Sequence, residues 1–421
     1  MTLTTISGKR VIKGFELNDP FPLLVEDSAD IIKFFKNSKI VPYSYTESGT
    51  GNSLRPLLSK ISRLSHTQNA CITKKVELGF TGSLSLYYSD LYSDFDTTKS
   101  VDYNRYREAS QYIMYGKRGV LDYFQDVARN YLIYGECFVE LSIVKSGDKY
   151  ILNNRIMPTE GSYLYKDNDI YYTYLPTLKE NSDITLYPFY PNFVEVEGRM
   201  ISILHIKNGN YLYGEPDSFG SIYKQYNEVQ LSVYNNKQTD NNFMGVTILE
   251  VEGDNPETGI SISTQSYDYK SGDTVVKKDA GVASRFVDAT TNKGKAPQSI
   301  IYMERPADST PMKVHTVAPV TNEGYFKTLA ELNKDAIIMS HRLSRQILGF
   351  EQATGWNKDA FKDNILITME TVIASLQKKI LEAHDIVVSE INTMNGYDEL
   401  IGVNRKVLNP IVQLFSNENI D

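Results

Sequence analysis

The sequence predicts an α+β fold, and three observations support this prediction. Apolar residues recur at helical spacing in residues 119–133, and again in 218–242, 323–347 and 358–394. Two segments, 137–144 and 150–156, alternate between apolar and polar residues as half-buried strands do. The chain has 421 residues, of which 41% are hydrophobic, so it is long enough for two or three packed units.

The first 210 residues or so are expected to form an α+β unit. Their clearest helix carries apolar residues at i, i+4, i+7 and i+11 spacings, including Val120, Phe124, Val127 and Tyr131. Gly135 stands where a left-handed cap would end this helix. The strands at 137–144 and 150–156 follow, joined by a turn at 145–149.

The middle of the chain reads as a helix followed by a β-containing insertion. The helix begins after Pro216, and its apolar positions include Phe219, Ile222, Tyr226 and Val229. Residues 245–318 are rich in Gly, Asp, Lys and Thr, which is typical of strands and turns.

The last third is the most regular part of the sequence. Residues 323–347 carry an apolar seam with spacings of 4, 3, 4, 3 and 4, formed by Tyr325, Leu329, Leu332, Ala336, Met339 and Leu343. Such a seam suits a helix that packs along a near-parallel neighbour. A loop at 349–356 and a long helix from Lys358 to about Met394 are expected to follow.

The composition narrows the classes of function. The formal net charge is −8, which argues against tight nucleic-acid binding, because that affinity comes largely from Lys and Arg. The charge is compatible with a surface past which DNA slides. No stretch approaches the roughly 18 apolar residues of a membrane helix. The first ten residues lack a basic segment followed by an apolar one, so we expect no secretory signal and a cytoplasmic location.

The sequence also lacks the usual signatures of catalysis and metal binding. Its five histidines are far apart, and it contains neither a His-Glu-x-x-His nor a Gly-x-Ser-x-Gly motif. Glu136 and Glu140 could share one face of a strand as paired carboxylates, but this spacing is common by chance. Cys71 and Cys137 are too few for a disulfide framework or a zinc site, and Cys137 is expected to be a buried thiol. We therefore predict no catalytic residue, no metal and no cofactor.

Three single residues each allow two interpretations. His205 and His315 lie in alternating segments, where each is either a ligand or, as we prefer, a strand residue with one hydrogen-bonded ring nitrogen. Trp356 is predicted to be the first residue of a hydrophobic staple that packs on Phe361 after an Asn357 cap, while its second interpretation depends on the family resemblance described below. We favour the staple.

The order of these segments resembles the tailed-phage portal proteins, which form a head-to-tail connector ring in the manner of the HK97-like and SPP1-like members. Residues 122–141 are similar to the family's hydrophobic helix, glycine and aliphatic–Glu strand. Ile156-Met157-Pro158 resembles its Leu-x-Pro segment. His205-Ile206 and then Tyr213-Gly214-Glu215-Pro216 are similar to the passage into its first stem helix. The resemblance covers roughly residues 115–395.

The resemblance implies a division of the chain into named parts. Residues 1–217 would form an α/β wing, 218–244 a first stem helix, 245–318 a small clip and 319–347 a second stem helix. Residues 348–357 would form a channel (tunnel) loop, and 358–421 a long wing helix and a short crown. The loop residues implied to face the channel are Gly349, Phe350, Glu351, Gln352, Thr354 and Trp356.

Three basic residues near the end of the second stem helix allow two roles. Lys334, Arg342 and Arg345 could form a collar that touches the backbone of passing DNA. They could instead complement the helix dipole and form ion pairs between subunits, which we favour.

The resemblance also implies a location and partners. The protein would be a homo-oligomeric ring, of about twelve subunits, at one capsid vertex of a virion, and would be assembled in the host cytoplasm. It would contact the major capsid protein, the large terminase subunit, a head-completion adaptor and double-stranded DNA, but no membrane. The alternative is another noncatalytic virion protein, such as a head-tail connector or a baseplate component.

Overall fold

A computed structural model shows that the protein is a mixed α+β chain, as predicted. The structure describes residues 3–6, 9–13, 38–43, 54–88, 101–116, 119–176, 184–209, 211–240, 247–252, 267–271, 274–278, 300–305, 323–349 and 358–410. The chain divides into two compact units. Unit 1 contains Met1–Pro22 and Asn227–Glu331, and unit 2 contains Leu23–Tyr226 and Leu332–Asp421.

The described helices are α1 (Leu54–Leu64), α2 (His66–Phe80), α3 (Tyr103–Ser110), α4 (Val120–Tyr134), α5 (Ile222–Asp240), α6 (Glu323–Ser340), α7 (Lys358–Thr368) and α8 (Ala374–Met394). The described strands are β1 (Leu3–Ile6), β2 (Lys9–Lys13), β3 (Ile40–Val41), β4 (Ser83–Tyr88), β5 (Ile113–Met114), β6 (Glu136–Ser146), β7 (Lys149–Met157), β8 (Ser162–Lys166), β9 (Ile170–Tyr174), β10 (Tyr187–Pro188), β11 (Val194–Val196), β12 (Arg199–Lys207), β13 (Thr247–Glu252), β14 (Tyr267–Ser271), β15 (Thr274–Lys278), β16 (Ile300–Arg305) and β17 (Val403–Leu408).

A five-stranded sheet lies at the centre of unit 2, in the order β11-β12-β6-β7-β5. Its long strands β6 and β7 form the predicted hairpin, which turns at Gly147 with φ 61°. Strand residues alternate between the two faces of a sheet, and β6 buries side chains on both faces. α4 and α8 cover one face of the sheet. The main apolar cluster therefore joins α2, α4, α8 and this sheet, with Phe124, Val139 and Ile380 fully buried.

The junction of α4 and β6 has the structure that the sequence predicts. α4 buries Phe124, Val127 and Tyr131 on one face. Gly135 ends the helix in the left-handed conformation, with φ 78°, and its amide donates to the Tyr131 carbonyl at 2.8 Å. Cys137 follows and is fully buried. Burial raises the pKa of its thiol, so the prediction of a buried structural cysteine is confirmed.

Unit 1 pairs segments that are far apart in sequence. Its sheet has the order β1-β2-β16-β13, in which β2 is antiparallel to β16 and β13 is parallel to β16. The prediction that residues 1–217 form a single unit is therefore wrong for the first strands, which belong to the same sheet as strands of the 245–318 insertion. This pairing depends on backbone hydrogen bonds between distant segments, which no local sequence pattern reveals.

Of the two helices predicted for the last third of the chain, one is confirmed and the other ends earlier than predicted. The predicted helix from Lys358 to about Met394 is confirmed, since α7 continues through a π-helical turn, Met369–Ile373, into α8. By contrast, α6 ends at Ser340 and not at Ile347. The backbone reverses at Arg342, whose φ is 55°. The apolar seam is also not a core seam within this chain, because Leu332 and Met339 are 56% and 74% exposed.

The strand near the C-terminal end is attached through a buried ion pair. Arg405 of β17 donates from Nε to Asp385 Oδ1 of α8 at 2.5 Å, and its backbone amide donates to Oδ2 at 2.9 Å. Both side chains are at most 3% exposed. Burial alone would lower the pKa of Arg405, but Tyr115 and Asp385 raise it, so the guanidinium stays charged.

Candidate functional site

Two of the motifs that carry the family resemblance, in residues 122–141 and 205–216, meet at one place in unit 2. Gly135, which ends α4, lies directly against Gly214: a Cβ atom on Gly214 would stand 2.1 Å from the Gly135 carbonyl oxygen. That same oxygen accepts a hydrogen bond from the Asn208 amide at 2.8 Å, just after β12. The end of α4, the end of β12 and the segment before α5 are therefore locked together.

A single buried carboxylate organises this meeting point. Glu136 is fully buried, and its Oε2 accepts hydrogen bonds from His205 Nε2 at 2.8 Å and from the Gly214 amide at 3.0 Å. Its Oε1 accepts from Arg55 Nη2 at 2.5 Å. Burial alone would raise the pKa of Glu136, but Arg55, His205 and Gly214 together lower it below its ordinary value. We call Arg55, Glu136, His205 and Gly214 the Glu136 cluster.

Arg55 is the residue of this cluster that sequence reasoning missed. It lies in the first turn of α1 with no exposed surface, and its guanidinium stands 4.4 Å from the ring centroid of Tyr43 and 4.7 Å from that of Tyr213. Its Nη1 donates to the Ser162 carbonyl. Arginine suits such a place because its planar guanidinium can stack on rings while it donates in its own plane. No pattern around Arg55 marks it, since α1 itself was not predicted.

His205 has the environment that the sequence indicates. It lies on β12, its ring stacks on Phe138 with centroids 4.3 Å apart, and its Nε2 is hydrogen-bonded to Glu136. The preferred interpretation as a strand residue with one hydrogen-bonded nitrogen is confirmed. His315 lies outside the described residues.

A second polar network joins the N-terminal end of α5 to the C-terminal end of α6, both within unit 2. Ser221 and Ser340 are hydrogen-bonded through their hydroxyl oxygens at 2.8 Å. Gln225 donates to Ser221 Oγ at 3.0 Å. Gln68 of α2 donates to Ser218 Oγ at 3.0 Å, and its Oε1 lies 2.7 Å from His341 Nε2. We call Gln68, Ser218, Ser221, Gln225, Ser340 and His341 the Gln68 network.

The state of His341 follows from this network. Because Gln68 uses its amide nitrogen on Ser218, its oxygen must accept the proton of His341 Nε2. His341 Nδ1 is then the unprotonated nitrogen, and it is buried with no hydrogen-bond partner among the described residues. Burial, reinforced by the charge of Lys75, lowers the pKa of His341 well below its ordinary value. The ring is neutral.

Lys75 lies beside this network with only 2% of its side chain exposed. Its Nζ is 3.9 Å from Asp217 Oδ2, and Asp217 Oδ1 accepts from Asn208 Nδ2 at 2.8 Å. Burial lowers the pKa of Lys75, and the attraction of Asp217 offsets this only in part. The N-terminal end of α5 therefore lies beside the buried side chain of Lys75.

The three predicted basic residues near the end of α6 have different surroundings. Arg345 is paired with Asp335, with Nε and Nη2 both 2.5 Å from Oδ1. Arg342 has an exposed side chain on a left-handed backbone, and Lys334 is partly exposed. The Arg345–Asp335 pair lies within this chain, so the ion pairs between subunits that we favour stay a prediction. Contact of any of the three with DNA remains a prediction.

Most of the predicted channel loop lies outside the described residues. Gly349 is exposed and has φ 74°, which favours glycine. Phe350, Glu351, Gln352, Thr354 and Trp356 are not among the described residues, so neither interpretation of Trp356 is decided.

The described part of the chain shows neither a metal-binding cluster nor a membrane span. Within it, no three His, Cys, Asp or Glu residues are grouped as metal ligands would be. No helix found there is both long enough and apolar enough to cross a membrane.

The chain was compared with known proteins by sequence and by structure. No protein-family model and no curated protein matches the sequence. Its fold is similar to that of a chain in the virion of a native gene transfer agent (GTA) particle, with 12% identity, a TM-score of 0.48 and coverage of 86% of this chain and 87% of the other. It is also similar to a chain from the neck of an empty GTA particle with C6 symmetry, at 11% identity, TM-score 0.49 and coverage of 86% and 87%. A chain from the neck of a native GTA particle with C12 symmetry gives 12% identity, TM-score 0.49 and 93% coverage of both chains.

Proposed function

We propose that this chain is one protomer of a tailed-phage portal protein. Such a protein forms a ring at one capsid vertex, through which double-stranded DNA is packaged and later ejected. The proposal is supported by the order of the elements in this chain and by the meeting of two of the family-like motifs, 122–141 and 205–216, at the Glu136 cluster.

One observation carries the proposal. The chain leaves unit 2 along α5, passes through the strands β13 to β16 of unit 1, and returns along α6. The unit-2 ends of the two helices lie side by side, since Ser221 and Ser340 are hydrogen-bonded at 2.8 Å. A β-containing insertion that lies between two helices in the chain order is what we expect of a clip between the two helices of a stem.

The proposed parts follow from this arrangement. Residues 245–318 are the clip, which would dock the packaging motor, formed by the large terminase subunit, and later the head-completion adaptor. The α/β part of unit 2 is the wing, which would face the major capsid protein. The net charge of −8 on each chain, repeated around a ring, would repel phosphates and keep the passing duplex from adhering. The protein would act without catalysis and without a cofactor.

The Glu136 cluster and the Gln68 network give the stem a rigid base. Buried and hydrogen-bonded polar groups fix geometry more strictly than apolar contacts, because any shift leaves a buried group unpaired. A channel that must keep its diameter while DNA moves through it requires such a base.

The test is the mass of the purified protein, measured by light scattering at moderate salt. The proposal predicts a particle of roughly twelve times the 47.8 kDa protomer. Thirteen copies would support the proposal equally, since both are closed rings. A stable dimer or an open filament would contradict it and would favour a connector or baseplate component.

A further inference from the structure

The segment that follows α6, residues 341–348, folds differently from what its own sequence favours. Ser340-His341-Arg342-Leu343-Ser344-Arg345-Gln346-Ile347-Leu348 contains neither Gly nor Pro, and its apolar residues continue the helical spacing of α6. The first residue suited to end a helix is Gly349. Even so, α6 ends at Ser340.

The helix ends in a Schellman motif in which the left-handed position, usually glycine, is occupied by an arginine. The Leu343 amide donates to the Ile338 carbonyl at 3.2 Å, and the Arg342 amide donates to the Met339 carbonyl at 2.9 Å. This pattern requires a residue in the left-handed conformation just before the second donor, Leu343. That residue is Arg342, with φ 55°. A non-glycine residue in this conformation is disfavoured by roughly fivefold to thirtyfold, so the break needs support from elsewhere.

Tertiary contacts of three residues supply this support. Leu343 is buried with Ile338 and Cys71. Ile347 is buried in the cluster that contains Leu78, Ile365 and Ile373. Arg345 reaches back to Asp335 at 2.5 Å.

Two of these contacts do not fit a continuous helix. In such a helix Asp335 and Arg345 would be ten residues, or about 15 Å, apart along the axis and could not pair. Leu343 would instead continue the exposed stripe that contains Leu332 and Met339.

We propose that residues 341–348 are a two-state element, held as a turn by these contacts and able to extend α6 as a continuous helix when the contacts are lost. The two states differ in where the side chains of Leu343 and Ile347 lie. In the turn these side chains lie in the core of unit 2. In the extended state they leave it and lengthen the apolar stripe of α6. The proposal stands independently of the portal assignment, because it uses only contacts within this chain.

The test uses hydrogen–deuterium exchange of the peptide that covers residues 341–348. The double variant Asp335→Asn/Ile347→Ala removes two of the supporting contacts and leaves good helix formers in place. A continuous helix would give the amides of Ser344 to Leu348 carbonyl partners four residues earlier in the chain. We expect their exchange to slow by roughly tenfold or more relative to the native chain.

A third substitution separates helix formation from other effects. Adding Arg342→Gly to the double variant favours the left-handed turn and disfavours the helix, so the fast exchange of the native segment should return. Adding Arg342→Ala removes the same side chain without favouring the turn, so the slow exchange should persist.

Two results would overturn the proposal. One is exchange in the double variant that is as fast as, or faster than, in the native chain, which would mean that the freed segment is disordered. The other is identical exchange in the Gly and Ala versions. Because Ile347→Ala could loosen the surrounding cluster, Asp335→Asn alone is measured beside it and should shift exchange in the same direction. Glu382→Gln, at an exposed ion pair on α8, serves as the control and should leave the peptide unchanged.

Discussion

Replacing Gly214 by alanine tests whether the contact between Gly135 and Gly214 holds the base of the proposed stem together. The added Cβ would lie 2.1 Å from the Gly135 carbonyl oxygen and 2.8 Å from Glu136 Cβ. Neither neighbour is the end of a flexible side chain, so the backbone itself must shift. That shift also draws the Gly214 amide away from Glu136 Oε2, to which it donates at 3.0 Å.

The size of the effect follows from these two losses. Overpacking of a tight interior site costs about 1–3 kcal/mol, and a lost hydrogen bond to a buried charge about 1.5–3 kcal/mol. We therefore expect Gly214→Ala to lower the free energy of unfolding of unit 2 by about 2.5–6 kcal/mol. Two glycines provide a graded comparison. A Cβ on Gly147 would meet nothing within 4 Å, but φ is +61°, so alanine there should cost about 1–2 kcal/mol. A Cβ on Gly220 also meets nothing, and alanine there should have almost no effect.

The assay combines urea denaturation, followed by far-ultraviolet circular dichroism, with hydrogen exchange. Denaturation gives the change in free energy for the three variants. Exchange of peptides from β6 and β12 shows whether the loss is local to the Glu136 cluster. The reasoning is refuted if Gly214→Ala costs no more than Gly147→Ala, or if β6 and β12 keep their native protection.

Two further predictions concern buried charge. His341 and His384 are buried with lowered pKa values, about 3 for His384, so the unfolded chain binds more protons below pH 6.5 and stability falls as the pH falls. Each ring should contribute about 1.4 kcal/mol per pH unit to the slope of the unfolding free energy against pH. His384→Gln should lower this slope by the contribution of one ring, as measured by urea denaturation between pH 7 and 5. An unfolding free energy that does not change over that range would be inconsistent with neutral buried rings. Asp385→Asn leaves the Arg405 guanidinium buried without a counter-charge and should cost about 3–5 kcal/mol of unfolding free energy, whereas Glu399→Gln, at an exposed ion pair, should leave thermal unfolding unchanged; equal effects of the two would show that burial does not govern these pairs.

Local patterns in the sequence predicted the elements that depend on local interactions. The helix before Gly135, its left-handed cap and the β6–β7 hairpin were all predicted, because helix periodicity, glycine conformation and strand alternation act over a few residues. For the same reason the long helix from Lys358 to Met394 was predicted, although its π-helical turn was not.

The missed features depend on partners that are distant in sequence. Arg55 has its role only because Glu136 and Tyr213 lie beside it in the folded chain. The early end of α6 depends on the burial of Ile347 against residues of α2 and α7. Hydrophobic periodicity cannot report such contacts, since it describes one element at a time.

The alternative roles of Lys334, Arg342 and Arg345 stay predictions, but the structure shows an ion pair within the chain that the sequence did not indicate. Arg345 pairs with Asp335, which the sequence spacing of ten residues does not suggest for a straight helix. The broken end of α6 makes the pairing geometrically feasible. The sequence therefore missed this ion pair at the same place where the predicted secondary structure fails.

Imaging of the assembled particle tests the central claim most directly. Electron-microscopy class averages of the purified protein should show a closed ring of about twelve protomers with a central hole wide enough for a DNA duplex. A particle without a central channel, or an assembly that does not close into a ring, would contradict the portal assignment.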